Sequence, residues 1–138
     1  MQLDVHPAAV IAGGQSRRMG GGEKFLLPLA GRPMLGAVLD RLAPQGDPVA
    51  IVANCDPDLL ARFGHPVVAD GRHAMRGPLS GILAALDWAS ALPGSSHVLT
   101  VAADTPFFPL DLAQRLSSAA GPDEIAVAAS HGRAHPVF

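Results

Sequence analysis

A single cysteine, Cys55, stands in the 138 residues of this chain. No internal disulfide can hold the fold, and a reducing cytoplasm is the expected compartment. Charge is scarce as well: charged side chains make up 16% of the residues and the net charge is -2. Without a basic excess there is no electrostatic footprint for nucleic acid and no polybasic patch for an anionic membrane. Long apolar runs are missing too. The longest uncharged stretch, Trp88 to Ala103, is too short to cross a bilayer and is interrupted by Pro93 and Gly94. The first residues include Asp4 and no basic segment, so they do not read as a signal peptide. Lysine is nearly absent, because nine of the ten basic residues are arginine. The exception is Lys24, inside the most glycine-rich loop.

What is present in quantity is apolar: 49% of the residues are hydrophobic, which excludes a disordered, solvating chain. Short apolar runs alternate with helical patterns, and glycine or proline marks nearly every switch. Ala8 to Ala12 reads as a buried parallel strand, followed by a polar loop from Gly13 to Lys24. Phe25 to Pro28 reads as irregular. Pro33 opens a helix in which Met34, Leu35, Val38, Leu39 and Leu42 share one face. Pro48 to Ala53 is a second strand, Asp56-Pro57 starts a short helix through Phe63, and Pro66 to Ala69 is a third strand. Pro78 opens a longer helix to about Leu92, with Leu79, Ile82, Leu83 and Leu86 expected on its buried side. His97 to Ala103 is a fourth strand, Pro109 to Ala119 a helix, Ile125 to Ala129 a strand, and His135 to Phe138 a last one. This alternation predicts one α/β domain over residues 1–138, with a mostly parallel sheet covered on both faces.

Open α/β sheets bind ligands outside the carboxyl ends of their strands. Those ends here are Gly13 to Lys24, Asn54, Asp70 and Asp104. Asn and Asp also terminate strands simply because they suit turns and caps. All four together, beside a glycine-rich basic loop, favour a site. In Gly13-Gly14-Gln15-Ser16-Arg17-Arg18-Met19-Gly20-Gly21-Gly22-Glu23-Lys24, glycines let backbone N–H groups surround a phosphate while Arg17, Arg18 and Lys24 supply cationic donors. The expected partner is a polyanion. A lone carboxylate after an apolar strand calls for a pair or a metal, so Asp104 is a candidate magnesium ligand, with a cap for the proline-rich segment as the other reading. Gly77-Pro78-Leu79-Ser80-Gly81 begins the long helix with small residues. They suit either an anion and a flat base, or close packing of helix on sheet.

Several chemistries are excluded. Lys24 is flanked by Glu23 and Phe25, so the loop is not a P-loop, and it lacks the G-x-G-x-x-G of a dinucleotide-dependent oxidoreductase. No G-x-S-x-G elbow exists. The six histidines form no metal motif: His131 and His135 lack the glutamate of H-E-x-x-H, and His6, His65 and His73 read as exposed loop residues. Cys55 reads as a small packing residue.

The block from Val10 to Lys24 resembles the signature of the molybdenum cofactor guanylyltransferases, and more broadly nucleotidyltransferases with a Rossmann-like fold. The resemblance continues through Asn54, Asp70, Gly77 to Gly81 and Asp104-Thr105-Pro106-Phe107, and ends at His135-Pro136-Val137-Phe138. It implies a three-layer α/β/α fold and magnesium-dependent transfer of GMP from GTP to molybdopterin or molybdenum cofactor, with release of pyrophosphate. By matching positions, it implies that Ile11, Ala12 and Gly13 line base and ribose, that Gly14 also binds the nucleotide, and that Arg18 and Lys24 bind phosphates. Asn54 and Asp70 would then contact the guanosine, Gly77 would also bind the nucleotide, and Asp104 would hold Mg²⁺. Transient contact with molybdoenzymes or their chaperones is implied as well. Ala12-Gly13-Gly14, where related cytidylyltransferases carry Ala-Ala-Gly, favours guanine. Family members continue beyond the segment matching His135 to Phe138, so the chain is expected to lack their C-terminal part, leaving Val137 and Phe138 exposed. The rival readings are a cytidylyltransferase acting on the same pterin or another phosphorylated alcohol, and a non-catalytic nucleotide-binding assembly protein.

Overall fold

Strand β1 (Ala8–Ile11) lies between two parallel partners, β4 (Val49–Val52) and β6 (Leu99–Ala102), and β5 (Val67–Val68) pairs outside β4. The computed structural model describes residues 5–12, 24–69, 78–135 and 137–138. All residues of β1 and β4 are buried, as their unbroken apolar sequence requires of strands covered on both faces. In β6 only Leu99 and Val101 are buried, and among the described strands it pairs with β1 alone. The register sets Ile11 beside both Val52 and Ala102. The carboxyl ends of the three strands are therefore level.

Between β1 and β4 the chain forms a short hairpin, β2 (Pro28–Leu29) with β3 (Arg32–Pro33), and then helix α1 (Met34–Leu42). Pro33 stands at the N-cap, one residue before the helix rather than within its first turn. Leu35, Val38, Leu39 and Leu42 are buried on the face of the sheet that carries Val10, Ile51 and Val101. Helix α3 (Leu112–Ala119) adds Leu112 to the same core, beginning three residues later than its sequence suggests. The expected short helix after Asp56 is a pair of 3₁₀ turns, Pro57–Leu59 and Ala61–Phe63, opened by an Asp56 carboxylate that accepts the Asp58 N–H at 3.0 Å.

Helix α2 (Pro78–Ser90) covers the opposite face and corrects the sequence reading. Its buried residues are Ser80, Gly81, Ala84, Ala85 and Ala89, while Leu79 and Leu86 remain 57% and 49% exposed. The reason is close approach. A Cβ on Gly81 would come within 2.6 Å of Ile11 Cγ2, so the helix seats its small residues directly on β1. The leucines turn outward, and Leu86, with Ile82, lines a cavity of about 450 Å³ along β6.

The last expected strands also shift. Ile125 is 91% exposed and the strand begins later, as β7 (Ala128–Ser130), which turns back through a hairpin into β8 (Arg133–His135). His131 and Gly132 supply the positive φ angles of that two-residue turn. Val137 and Phe138 are half-buried rather than exposed. Val137 packs on the α2 side of the sheet and Phe138 on the α1 side, and Thr100 Oγ1 donates to the Val137 carbonyl at 2.7 Å.

Candidate nucleotide-binding site

Because β1, β4 and β6 end level, the residues that follow them share one edge of the sheet. Ala12 N–H donates to the Val52 carbonyl, Ala53 N–H to Val68, and Ala103 N–H to Ile11, which carries the ladder one step past each strand. Asn54 and Asp104 come next, on either side of β1 and both exposed. Two strand spacings separate their backbones, about 10 Å, a distance that a nucleotide readily spans. Ile11 itself is buried, its side chain against Gly81 and its carbonyl engaged by Ala103. Ala12, also buried, forms the floor where the strand gives way to the loop.

The exposure of Asp104 removes one argument made from the sequence. A carboxylate in water carries no desolvation penalty that a metal must relieve. Its position carries the candidacy instead, at the end of β6 in a tight turn where Thr105 Oγ1 donates to the Ala102 carbonyl at 3.3 Å. Among the described residues no group of three or more His, Cys, Asp or Glu could hold a metal by itself. One outward carboxylate instead suits a cation that arrives with a polyphosphate and keeps phosphate oxygens and waters as its other ligands.

Lys24, read as the last residue of the loop, begins a 3₁₀ turn, Lys24–Leu26, that runs into the stretch read as irregular. The next residue, Phe25, is 3% exposed in the core beside α1, and Met34 N–H donates to the Leu27 carbonyl at 2.9 Å. The backbone at Lys24 is thereby tied to α1. That plug was readable only as an apolar residue beside a lysine. Of the other site residues expected from the sequence, Gly13, Gly14, Arg18, Asp70 and Gly77 lie outside the described residues. At Gly81 the structure realises close helix packing.

The histidines follow expectation in part. Among the described residues they build no metal cluster, but His6 and His65 are half-buried rather than exposed, and His73 lies outside the described residues. The His6 ring is 5.4 Å from that of His97. Both stand before the strands begin, at the end of the sheet away from the candidate site. Cys55 is half-buried and packs on the core, as expected.

Comparison with known proteins gives a consistent picture. Residues 8–138 match the family model described as the MobA-like NTP transferase domain. The chain is 53% identical over 131 residues to a molybdenum cofactor guanylyltransferase of Mesorhizobium japonicum, covering 94% of this chain and 63% of that protein. It is 52% identical over 135 residues to one of Rhodopseudomonas palustris, covering 96% and 64%. The chain thus spans slightly less than two thirds of the length of these relatives. Among solved structures, molybdopterin-guanine dinucleotide biosynthesis protein A of Archaeoglobus fulgidus superposes with a TM-score of 0.68 at 26% identity, over 96% of this chain and 65% of that one.

Proposed function

Because the chain belongs to the MobA-like NTP transferase domain family, we propose that it serves magnesium-dependent transfer of GMP from GTP to molybdopterin or molybdenum cofactor. The observation that carries this reading is the level placement of Ala12, Asn54 and Asp104 along one carboxyl edge of a parallel sheet. A terminal phosphate oxygen of the acceptor attacks the α-phosphorus of GTP. The bond from that phosphorus to the bridging oxygen breaks, and pyrophosphate leaves. The residues at the edge position two anions and need no covalent nucleophile. In this reading Ile11, Ala12 and Gly13 serve base and ribose, Asn54 and Asp70 contact the guanosine, and Gly14 and Gly77 also bind the nucleotide. Arg18 and Lys24 take phosphates. Asp104 holds Mg²⁺, which when bound offsets the charge gathering on the phosphate oxygens.

No described helix is long and apolar enough to cross a membrane. Cytoplasmic placement and transient contact with molybdoenzymes or their chaperones complete the proposal.

The test is nucleotide binding followed by turnover. GTP with Mg²⁺ is expected to raise the melting temperature, since a ligand at a hundredfold its Kd adds about 2.7 kcal/mol, and CTP, ATP and NAD are not. A shift with CTP alone would reassign the base, and a shift with none would remove the site. Lys24→Ala is expected to weaken GTP binding roughly tenfold or more, the worth of a hydrogen bond to a charged group. Asp104→Asn is expected to abolish magnesium-dependent formation of the dinucleotide from GTP and molybdopterin. Full activity of that variant would take Asp104 out of the metal site.

A further inference from the structure

The segment that carries Asp104 is anchored at both ends. Upstream, Ala103 N–H donates to the Ile11 carbonyl, fixing the exit of β6. Downstream, two side chains from the end of α1 take hold of the backbone. Arg41 Nη1 donates to the Phe108 carbonyl at 2.8 Å, and Gln45 Nε2 donates to the Pro109 carbonyl at 3.1 Å. Gln45 Oε1 also accepts the Ala113 N–H at 2.9 Å. This last bond is a helix cap supplied from elsewhere in the chain, because the Asp111 side chain at the N-cap makes no capping bond and pairs instead with Arg115 at 3.0 Å. Phe108, buried in the core, and Pro106, also buried, pin the stretch between the anchors. An arch this short, with prolines at 106 and 109, has few conformations left once both ends are held.

We propose that Arg41 and Gln45 are positioning residues for Asp104, holding the far end of the arch so that its carboxylate stands ready for a nucleotide-bound divalent cation. Neither side chain touches the ligand. Helix α1 thereby becomes a strut shared by both halves of the site, with the Lys24 turn joined to its first residue and the Asp104 arch joined just past its last. The inference rests on the reading of Asp104 as the metal-binding carboxylate, and the experiment separates the two.

Mn²⁺ is titrated by electron paramagnetic resonance into the chain with GTP, and GTP binding is measured separately in a chelator. Gln45→Leu and Arg41→Met are expected to weaken Mn²⁺ binding to the GTP complex roughly tenfold, the low end of what outer residues contribute to metal affinity. Metal-free GTP affinity is expected to stay within about twofold, since no phosphate contact changes. Arg41→Lys, which keeps a donor toward Phe108, is expected to restore most of the loss. A second measurement uses the unaltered chain and so does not depend on either variant folding. Coupling is reciprocal, so a clamp that favours the metal is favoured by it, and the Ala113 amide should exchange more slowly with Mn²⁺–GTP than with GTP alone. If Mn²⁺ affinity in the folded variants and Ala113 exchange are both unchanged while Asp104→Asn loses the metal, positioning is refuted and the role of Asp104 stands. If Asp104→Asn binds Mn²⁺ as before, the metal reading of Asp104 falls and the positioning proposal falls with it.

Discussion

Helix α1 buries Leu35, Val38, Leu39 and Leu42 against one face of the sheet, whereas α2 buries Ser80, Gly81, Ala84, Ala85 and Ala89 against the other and leaves Leu79 and Leu86 about half exposed. Both helices carry leucines at helical spacing. What separates them is distance to the sheet. Large side chains on α1 fill the space between helix and strands. On α2 a glycine at the contact lets the helix rest on Ile11 with almost nothing between. Hydrophobic spacing identifies a helix, but it identifies the buried face only when no smaller face permits closer contact. The result bears on the site, because Gly81 lies in the first turn of α2 and sets that turn against the end of β1.

The largest expected effect lies on α1. Leu35 is fully buried, and Leu35→Ala should lower the unfolding free energy by about 2–5 kcal/mol in urea titrations. A loss below 1 kcal/mol would mean that α1 can close over the gap. On α2 the damaging change is the smallest addition. Gly81→Ala introduces a methyl group into Ile11 and should lower the unfolding free energy by about 1–3 kcal/mol, although alanine is the better helix former. An unchanged midpoint would show that the helix can retreat freely. The smallest effect belongs to the residue that spacing alone places in the core: Leu86→Ala should cost about 1 kcal/mol or less, because only half of its side chain leaves water. A loss as large as that of Leu35→Ala would restore the leucine face as the packed one.

Sequence pattern located what depends on neighbouring residues. The strand at Ala8, the N-cap at Asp56 and the polar residues closing β4 and β6 were legible because strand periodicity and capping chemistry act over a few positions. The candidate edge with Ala12, Asn54 and Asp104 was legible for the same reason, once the parallel order put those ends side by side. Contacts between distant segments were not legible. Nothing near Gly81 announces Ile11, and nothing near Arg41 or Gln45 announces Phe108, Pro109 or Ala113. Ile125 is misread because its apolar stretch has no strand partner among the described residues, and the hairpin forms three residues further on. The exposure of Asp104 likewise depends on the turn made by Thr105, which the apolar run before it does not encode.

The central place of β1 also governs how this chain comes into being at the ribosome. Ala8 is made before either of its partners, Val49 on one side and Leu99 on the other. At typical synthesis rates the second partner emerges roughly 5–20 seconds after the first strand. For that interval a short, wholly apolar segment waits without its final neighbours. Its pairings are far apart in sequence, so the sheet closes late and slowly compared with a helical bundle. The strand that leads to the candidate edge therefore has to remain uncommitted until β6 arrives.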